Sequence, residues 1–180
     1  MLKHAAMIAF IAAIFPIMAV ACPSLQQNPA EKDRIHAELL AAENEMQGRA
    51  IGGQLWHIWT TAPDKAAQDM LDSGRERIRL ADYETAERIL GELIEYCPDY
   101  AEGWNQRAFV RFLRQDYGNA LSDIEHALDR EPRHFGALAG RATTLITMGR
   151  VEVGHAALRK ALEVNPWLSE RHMLPPEERT

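Results

Sequence analysis

Pro98, Pro132 and Pro166 stand 34 residues apart, and the sequence between them repeats in register. A period of that length specifies a helix–turn–helix unit stacked on copies of itself. One such unit cannot bury its own apolar face, so the chain must build a solenoid in which each repeat rests on its neighbours. Solenoids offer long surfaces to other chains and seldom carry out chemistry, so the period constrains function as well as fold.

The register holds residue by residue. With Ala67, Ala101 and Phe135 as first positions, the eighth positions are Gly74, Ala108 and Ala142, and the twentieth are Ala86, Ala120 and Gly154. All are small, as required where two antiparallel helices approach closely and a larger side chain would overpack the contact. Leu90 and Ile94, Ile124 and Leu128, and Leu158 and Leu162 form an i, i+4 apolar stripe on the second helix of each unit. Turn signals fall between the helices at residues 81–83, 115–117 and 148–150. Each unit closes on its proline, which cannot continue the helical hydrogen-bond ladder.

These positions resemble the tetratricopeptide repeat (TPR) family. Its pattern asks for an aromatic at position 4, small residues at 8 and 20, an aromatic near 17, alanine at 27 and proline at 32. The middle unit supplies Trp104, Ala108, Tyr117, Ala120, Ala127 and Pro132. The first departs at Met70 and Leu93, the third at Leu138, Val151 and Gly154. The resemblance covers roughly residues 67–168 and implies an all-α, right-handed solenoid of stacked antiparallel helix pairs. It is nearly silent on ligand, because one fold hosts many functions.

The N-terminus reads as an export signal. Lys3 and His4 precede an apolar run over residues 5–17, and Ala19, Val20 and Ala21 supply small residues for a peptidase. Processing has two routes. Signal peptidase would leave a soluble chain beginning at Cys22. Residues 19–22 also resemble a bacterial lipobox, which would make Cys22 a lipidation site, with residues 23–30 as a polar tether and Cys97 as a lone buried thiol. Either route places the mature chain in the periplasm or on a membrane facing it.

The resulting division is 1–21 signal peptide, 22–30 linker, 31–66 degenerate capping helix pair, 67–100, 101–134 and 135–168 as three repeats, and 169–180 as a short closing helix and tail. In the capping pair, residues 31–43 place Ile35, Leu39 and Leu40 on one face, and Asn44 with Gln47 resembles a capping box. A second helix follows to about Thr60 with Ile51, Leu55, Ile58 and Trp59 on its apolar side. Pro63 lies 35 residues before Pro98, so the pair reads as a fourth unit stacked on the end of the array.

Charge and motifs narrow the function. Twenty Lys and Arg against 26 Asp and Glu give a net charge of −6, which disfavours nucleic acid and anionic lipid as partners. His36, His57, His126, His134, His155 and His172 form no metal-ligand spacing, and no nucleophile elbow or phosphate loop is present. The expectation is a protein without catalysis, cofactor or metal. Arg107 and Asp123 face each other across the middle helix pair as an intra-repeat salt bridge.

The first helices, which line the concave face in TPR proteins, carry the candidate site. Arg75 and Arg79 lie at one end, Asn105, Phe109 and Phe112 at the centre, and Thr143 and Ile146 beyond. Guanidinium groups beside aromatic rings suit an extended peptide or helix with acidic and apolar parts. The opposing reading has Phe109 and Phe112 partly in the core. Two functions follow: an exported binding module or scaffold of the cell envelope, and a permanent structural subunit or assembly factor of an envelope complex.

Overall fold

Side-chain capping marks where the first four helices begin. The computed structural model describes residues 21–25 and 28–178, so the signal-peptide reading lies outside the described residues. Helix α1 (Pro29–Leu40) opens on Asn28, whose side chain accepts from Glu31 N–H. Helix α2 (Glu45–Trp59) opens on Asn44, which accepts from Gln47 N–H at 3.0 Å, while Gln47 Oε1 accepts from Glu43 N–H at 2.9 Å. Asp64 and Asp82 cap α3 (Lys65–Arg79) and α4 (Tyr83–Tyr96). Tyr96 O–H also donates to Asp64 at 2.6 Å. Then come α5 (Ala101–Leu113), α6 (Tyr117–Arg130), α7 (Phe135–Thr147) and α8 (Val151–Val164). The closing helix is a 3-10 segment, Ser169–Met173, and a further 3-10 turn spans Pro176–Glu178. No strand occurs among the described residues.

The turns inside the repeats are copies of one another. Ala81, Gln115 and Gly149 all have positive φ (57°, 63° and 79°), and they recur at the 34-residue period. In each turn the next residue's N–H reaches five residues back: Asp82 to Arg77 O, Asp116 to Arg111 O, Arg150 to Leu145 O. The positive-φ residue reaches three back, to Ile78, Phe112 and Ile146. That pair of bonds satisfies the carbonyls a helix end leaves open.

Packing follows the predicted register. Ala86, Ala108, Ala120 and Ala142 are buried, and Gly74 and Gly154 sit against Leu90 and Ile146. A Cβ on Gly154 would lie 2.4 Å from Ile146 Cγ1 and 2.9 Å from its backbone nitrogen, so only glycine admits that helix contact. Helix α5 stacks on α4, and α7 on α6. Leu71, Leu90, Leu93 and Leu158 are fully buried, each contributing about 2 kcal/mol of transfer free energy.

The N-terminal pair departs from the stacked fourth unit. It lies across the connections that end each repeat. Trp59 O accepts from Tyr100 O–H at 2.8 Å. Asp33 and Lys32 pair with Arg133 and Glu131. Trp167 Nε1 donates to Leu39 O at 3.2 Å, and Arg171 pairs with Glu45 at 2.8 Å. Ile35, Leu39, Leu55 and Trp59 join one buried cluster with residues of α5 to α8, not with α3. The physical reason lies in α2: Gly48 and Gly52 clear a strip that Trp167 and Phe135 occupy, and a Cβ at Gly48 would meet the Trp167 ring at 2.2 Å. Trp167 therefore turns toward α2, and Leu168 and Leu174 are the buried apolar residues flanking the closing segment.

One cysteine expectation is also corrected. Cys22 and Cys97 form a disulfide, with Cα atoms 5.1 Å apart across a sequence separation of 75. Cys97 is therefore not a lone thiol. In this structure the Cys22 sulfur is taken up by that bond, and a thioether to lipid would compete for the same sulfur. Residues 22–25 are no loose tether either: Cys22 and Leu25 pack on the buried cluster of the first repeat.

Candidate protein-binding groove

The stacked first helices α3, α5 and α7 form the floor of a groove of about 1180 Å³. Arg75 and Arg79 project from α3, Asn105, Phe109 and Phe112 from α5, and Thr143 from α7, all into this groove. The structure thus brings together six of the seven residues singled out from sequence. Ile146 is the exception. It lies on the other side of α7, against Gly154 of α8, where it fills the space that glycine leaves.

Phe109 is 48% exposed, an unusual state for a large aromatic side chain and one that leaves it free for contact. Phe112 is half-buried with its ring 5.7 Å from Tyr117, and neither phenylalanine belongs to the buried clusters. Arg79 is an exposed side chain that pairs with Glu76 on its own helix. Arg75 is exposed and makes no hydrogen bond or ion pair among the described residues. Asn105 donates to Glu102 at 3.0 Å.

That last bond ties the groove to a buried polar network. Glu102 and His134 are both fully buried, with His134 Nε2 2.9 Å from Glu102 Oε2. His134 Nδ1 accepts from Ala137 N–H at 3.2 Å, which places the ring hydrogen on Nε2 as donor to the carboxylate. Gln106 donates to the other Glu102 oxygen at 2.6 Å. The His134 ring stacks on Trp59 at 4.1 Å and 20°. Helices α2, α5 and α7 are thereby joined beneath the groove. A second network lies between α4, α5 and α6. Arg107 binds Asp123 through two bonds of 2.8 and 2.9 Å, as the sequence suggested, and Arg111 bridges Asp123 and Glu87 at 2.9 Å each.

Sequence reasoning missed the side wall. Arg49, Gly53 and Trp56 of α2 line the groove, and residues 165–170 close it opposite the α3 end. The available signal was the Gly48/Gly52 spacing together with Trp56 and Trp59, a strip an end cap has no need for. Met148, Val151 and Val153 are exposed near the α7–α8 turn, away from the groove lining. Among the described residues no three His, Cys, Asp or Glu side chains gather to hold a metal, and no helix is long and apolar enough to cross a membrane.

Comparison with known proteins places this geometry. No protein-family model matches the chain. A TPR repeat-containing protein of Rhizobium etli is 31% identical over 134 residues, covering 74% of this chain and 66% of that protein. Mouse sperm-associated antigen 1 is 33% identical over 93 residues, 52% of this chain but only 10% of that one. Among solved structures, the TPR2B domain of yeast Sti1 in its Hsp70 complex superposes with a TM-score of 0.55 at 24% identity, covering 59% of this chain and 89% of that one. The first TPR of Spaghetti (RPAP3), bound to the HSP90 peptide SRMEEVD, superposes at 0.56 with 18% identity, covering 58% and 82%.

Proposed function

We propose that this chain, which belongs to the tetratricopeptide repeat family, is an exported scaffold that holds a carboxylate-bearing, apolar segment of another envelope protein in its concave groove, without catalysis. The observation that carries this reading is Phe109, a half-exposed aromatic at the centre of a formed groove with unpaired Arg75 beside it. The solved neighbours include proteins bound to Hsp70 or to the HSP90 peptide SRMEEVD, and that peptide ends in acidic residues. Export draws support from the Cys22–Cys97 bond, since disulfides persist where the compartment is oxidising. The periplasm is such a place, and ordinary signal peptidase cleavage before Cys22 would release the chain there in soluble form.

The test is crosslinking and affinity recovery of partner with the tagged mature protein. Buried aromatics dominate interface energies, whereas exposed arginine contributes to steering. Phe109→Ala should therefore reduce recovery more than Arg75→Ala or Arg79→Ala, and only the arginine effects should shrink at high salt. Unchanged recovery with all three folded variants would overturn the groove reading. A second reading, a permanent envelope subunit, is favoured by Met148, Val151 and Val153, exposed within six residues of one another. Substituting those three with serine would then remove the partner while the groove variants do not.

A further inference from the structure

We propose that the groove's occupant is an α-helix: about three turns of a partner, with an apolar stripe over Phe109 and a carboxylate at Arg75. This rests on the groove being the partner site and specifies the form of what enters it. An extended segment brings an unpaired N–H and C=O at every residue, and each must find a partner once water is displaced. This groove supplies few. Its walls are helices whose backbones bond internally, so no strand edge is offered. Arg75 apart, the polar side chains along its floor already hold partners within the chain. Asn105 and Gln106 donate to Glu102, Thr144 to Gly140 O and Thr143 to Met173 Sδ, and Arg79 pairs with Glu76. A helix arrives with its own backbone satisfied and asks only for shape and side-chain contact.

The shape is present. Gly53 on α2 and Gly140 on α7 both line the groove. A Cβ at Gly53 would meet nothing within 4 Å, and one at Gly140 only Ile124 at 3.7 Å. Such bare positions let a helix approach to a short interaxial distance. The groove wall already shows glycine used in this way, since Gly48 and Gly52 of α2 make room for the Trp167 and Phe135 rings. A helix about 10 Å across that rises about 1.5 Å per residue fills about 120 Å³ per residue. The groove of about 1180 Å³ thus accommodates about ten residues. Charge fixes one end: Arg49 pairs with Glu45 and Arg79 with Glu76, which leaves Arg75 to meet a carboxylate of the occupant.

The experiment places the photo-crosslinking residue benzoyl-phenylalanine at position 53, 109 or 143 of the full chain, expressed in its own cells, and maps the attached partner residues by mass spectrometry. Attachment sites three or four residues apart within a segment of about ten residues are expected. Attachment sites two residues apart, the alternation of an extended segment, would overturn the inference. Gly53→Leu supplies a second measurement. It raises helix propensity, its Cβ meets no atom of the fold within 4 Å, and its side chain extends from a position that lines the groove, so crosslinking at 109 should fall at least tenfold with thermal stability kept. An unchanged yield would also overturn the inference. If Phe109→Ala abolishes partner recovery while attachment sites alternate, the groove is the site and only the helical occupant is wrong. If no groove position crosslinks and Phe109→Ala has no effect, the functional reading itself fails.

Discussion

Ala81, Gln115 and Gly149 occupy one turn position in three repeats, and only the third residue suits it. A left-handed backbone costs an L side chain roughly 1 kcal/mol that glycine avoids. Ala81→Gly and Gln115→Gly should each raise stability by about 0.5 to 1 kcal/mol in urea melts, although both remove side-chain atoms. Gly149→Ala should lower it by a similar amount, and a loss on either of the first two substitutions would contradict the turn geometry. The turn was legible as a turn from the sequence, but the positive φ was not, because Ala81 and Gln115 carry no sign of it. His36 presents a second residue-scale case. It is buried on α1, its Nε2 has no hydrogen-bond partner, and burial first, then the Arg133 guanidinium, hold its pKa below the usual 6.5. Lys32 acts in the same direction, while Glu131 and Asp33 oppose. Below pH 6.5 the unfolded chain takes up a proton that the native chain refuses, so stability present at neutral pH is lost on acidification. The loss should not exceed about 1.4 kcal/mol per pH unit. Relative to His36→Leu, the native protein should weaken between pH 7.5 and 5.5, and parallel pH profiles would remove His36 as the cause.

At the scale of elements, the repeats were readable because their packing is local. Gly74, Ala86, Ala108 and Ala120 are small for a neighbour one hairpin away, and the 34-residue period announces it. Helix α2 has its partners at Phe135 and Trp167, more than 80 residues on, and no period points there. Its apolar stripe told that it must be covered, not by what. The Gly48 contact makes the placement testable. A methyl at Gly48 would sit 2.2 Å from the Trp167 ring, and that ring is held by its bond to Leu39 O. Gly48→Ala should therefore destabilise by about 1–3 kcal/mol through overpacking, with faster hydrogen exchange in α1 and α2 than in α3 to α6. Gly53→Ala, five residues along the same helix and free of contacts, should instead gain up to about 1 kcal/mol from helix propensity. Equal stabilities for the two variants would mean that α2 does not lie across the array. The groove residues were legible for the same reason as the repeats, since concave positions recur with the period. Ile146 was misplaced because position on a helix face, read without the neighbouring Gly154, cannot distinguish the groove from the pair contact.

The whole molecule is held in this form by one covalent link between its N-terminal segment and the end of the first repeat. Cys22 precedes α1 and Cys97 follows α4, so the bond encloses the α1–α2 pair together with the first repeat in a loop spanning a sequence separation of 75. Closing a loop of that length removes chain entropy from the unfolded state worth about 4 kcal/mol. For a domain of this size that corresponds to a melting temperature about 10 °C higher. The link also determines the chemical fate of Cys22, because its sulfur can be oxidised or acylated but not both. Protein recovered from its own cells should have the mass of the unmodified chain from Cys22 onward less two hydrogens, and it should resist alkylation until reductant is added. Cys97→Ser and Cys22→Ser should melt at the same lowered temperature, which reductant does not lower further, and both should stay in the soluble fraction after osmotic shock. A native mass increased by acyl chains would show that lipid claims Cys22 before Cys97 does. The tethered form would then place the groove at a membrane surface, and the partner should be sought among membrane proteins instead of soluble ones.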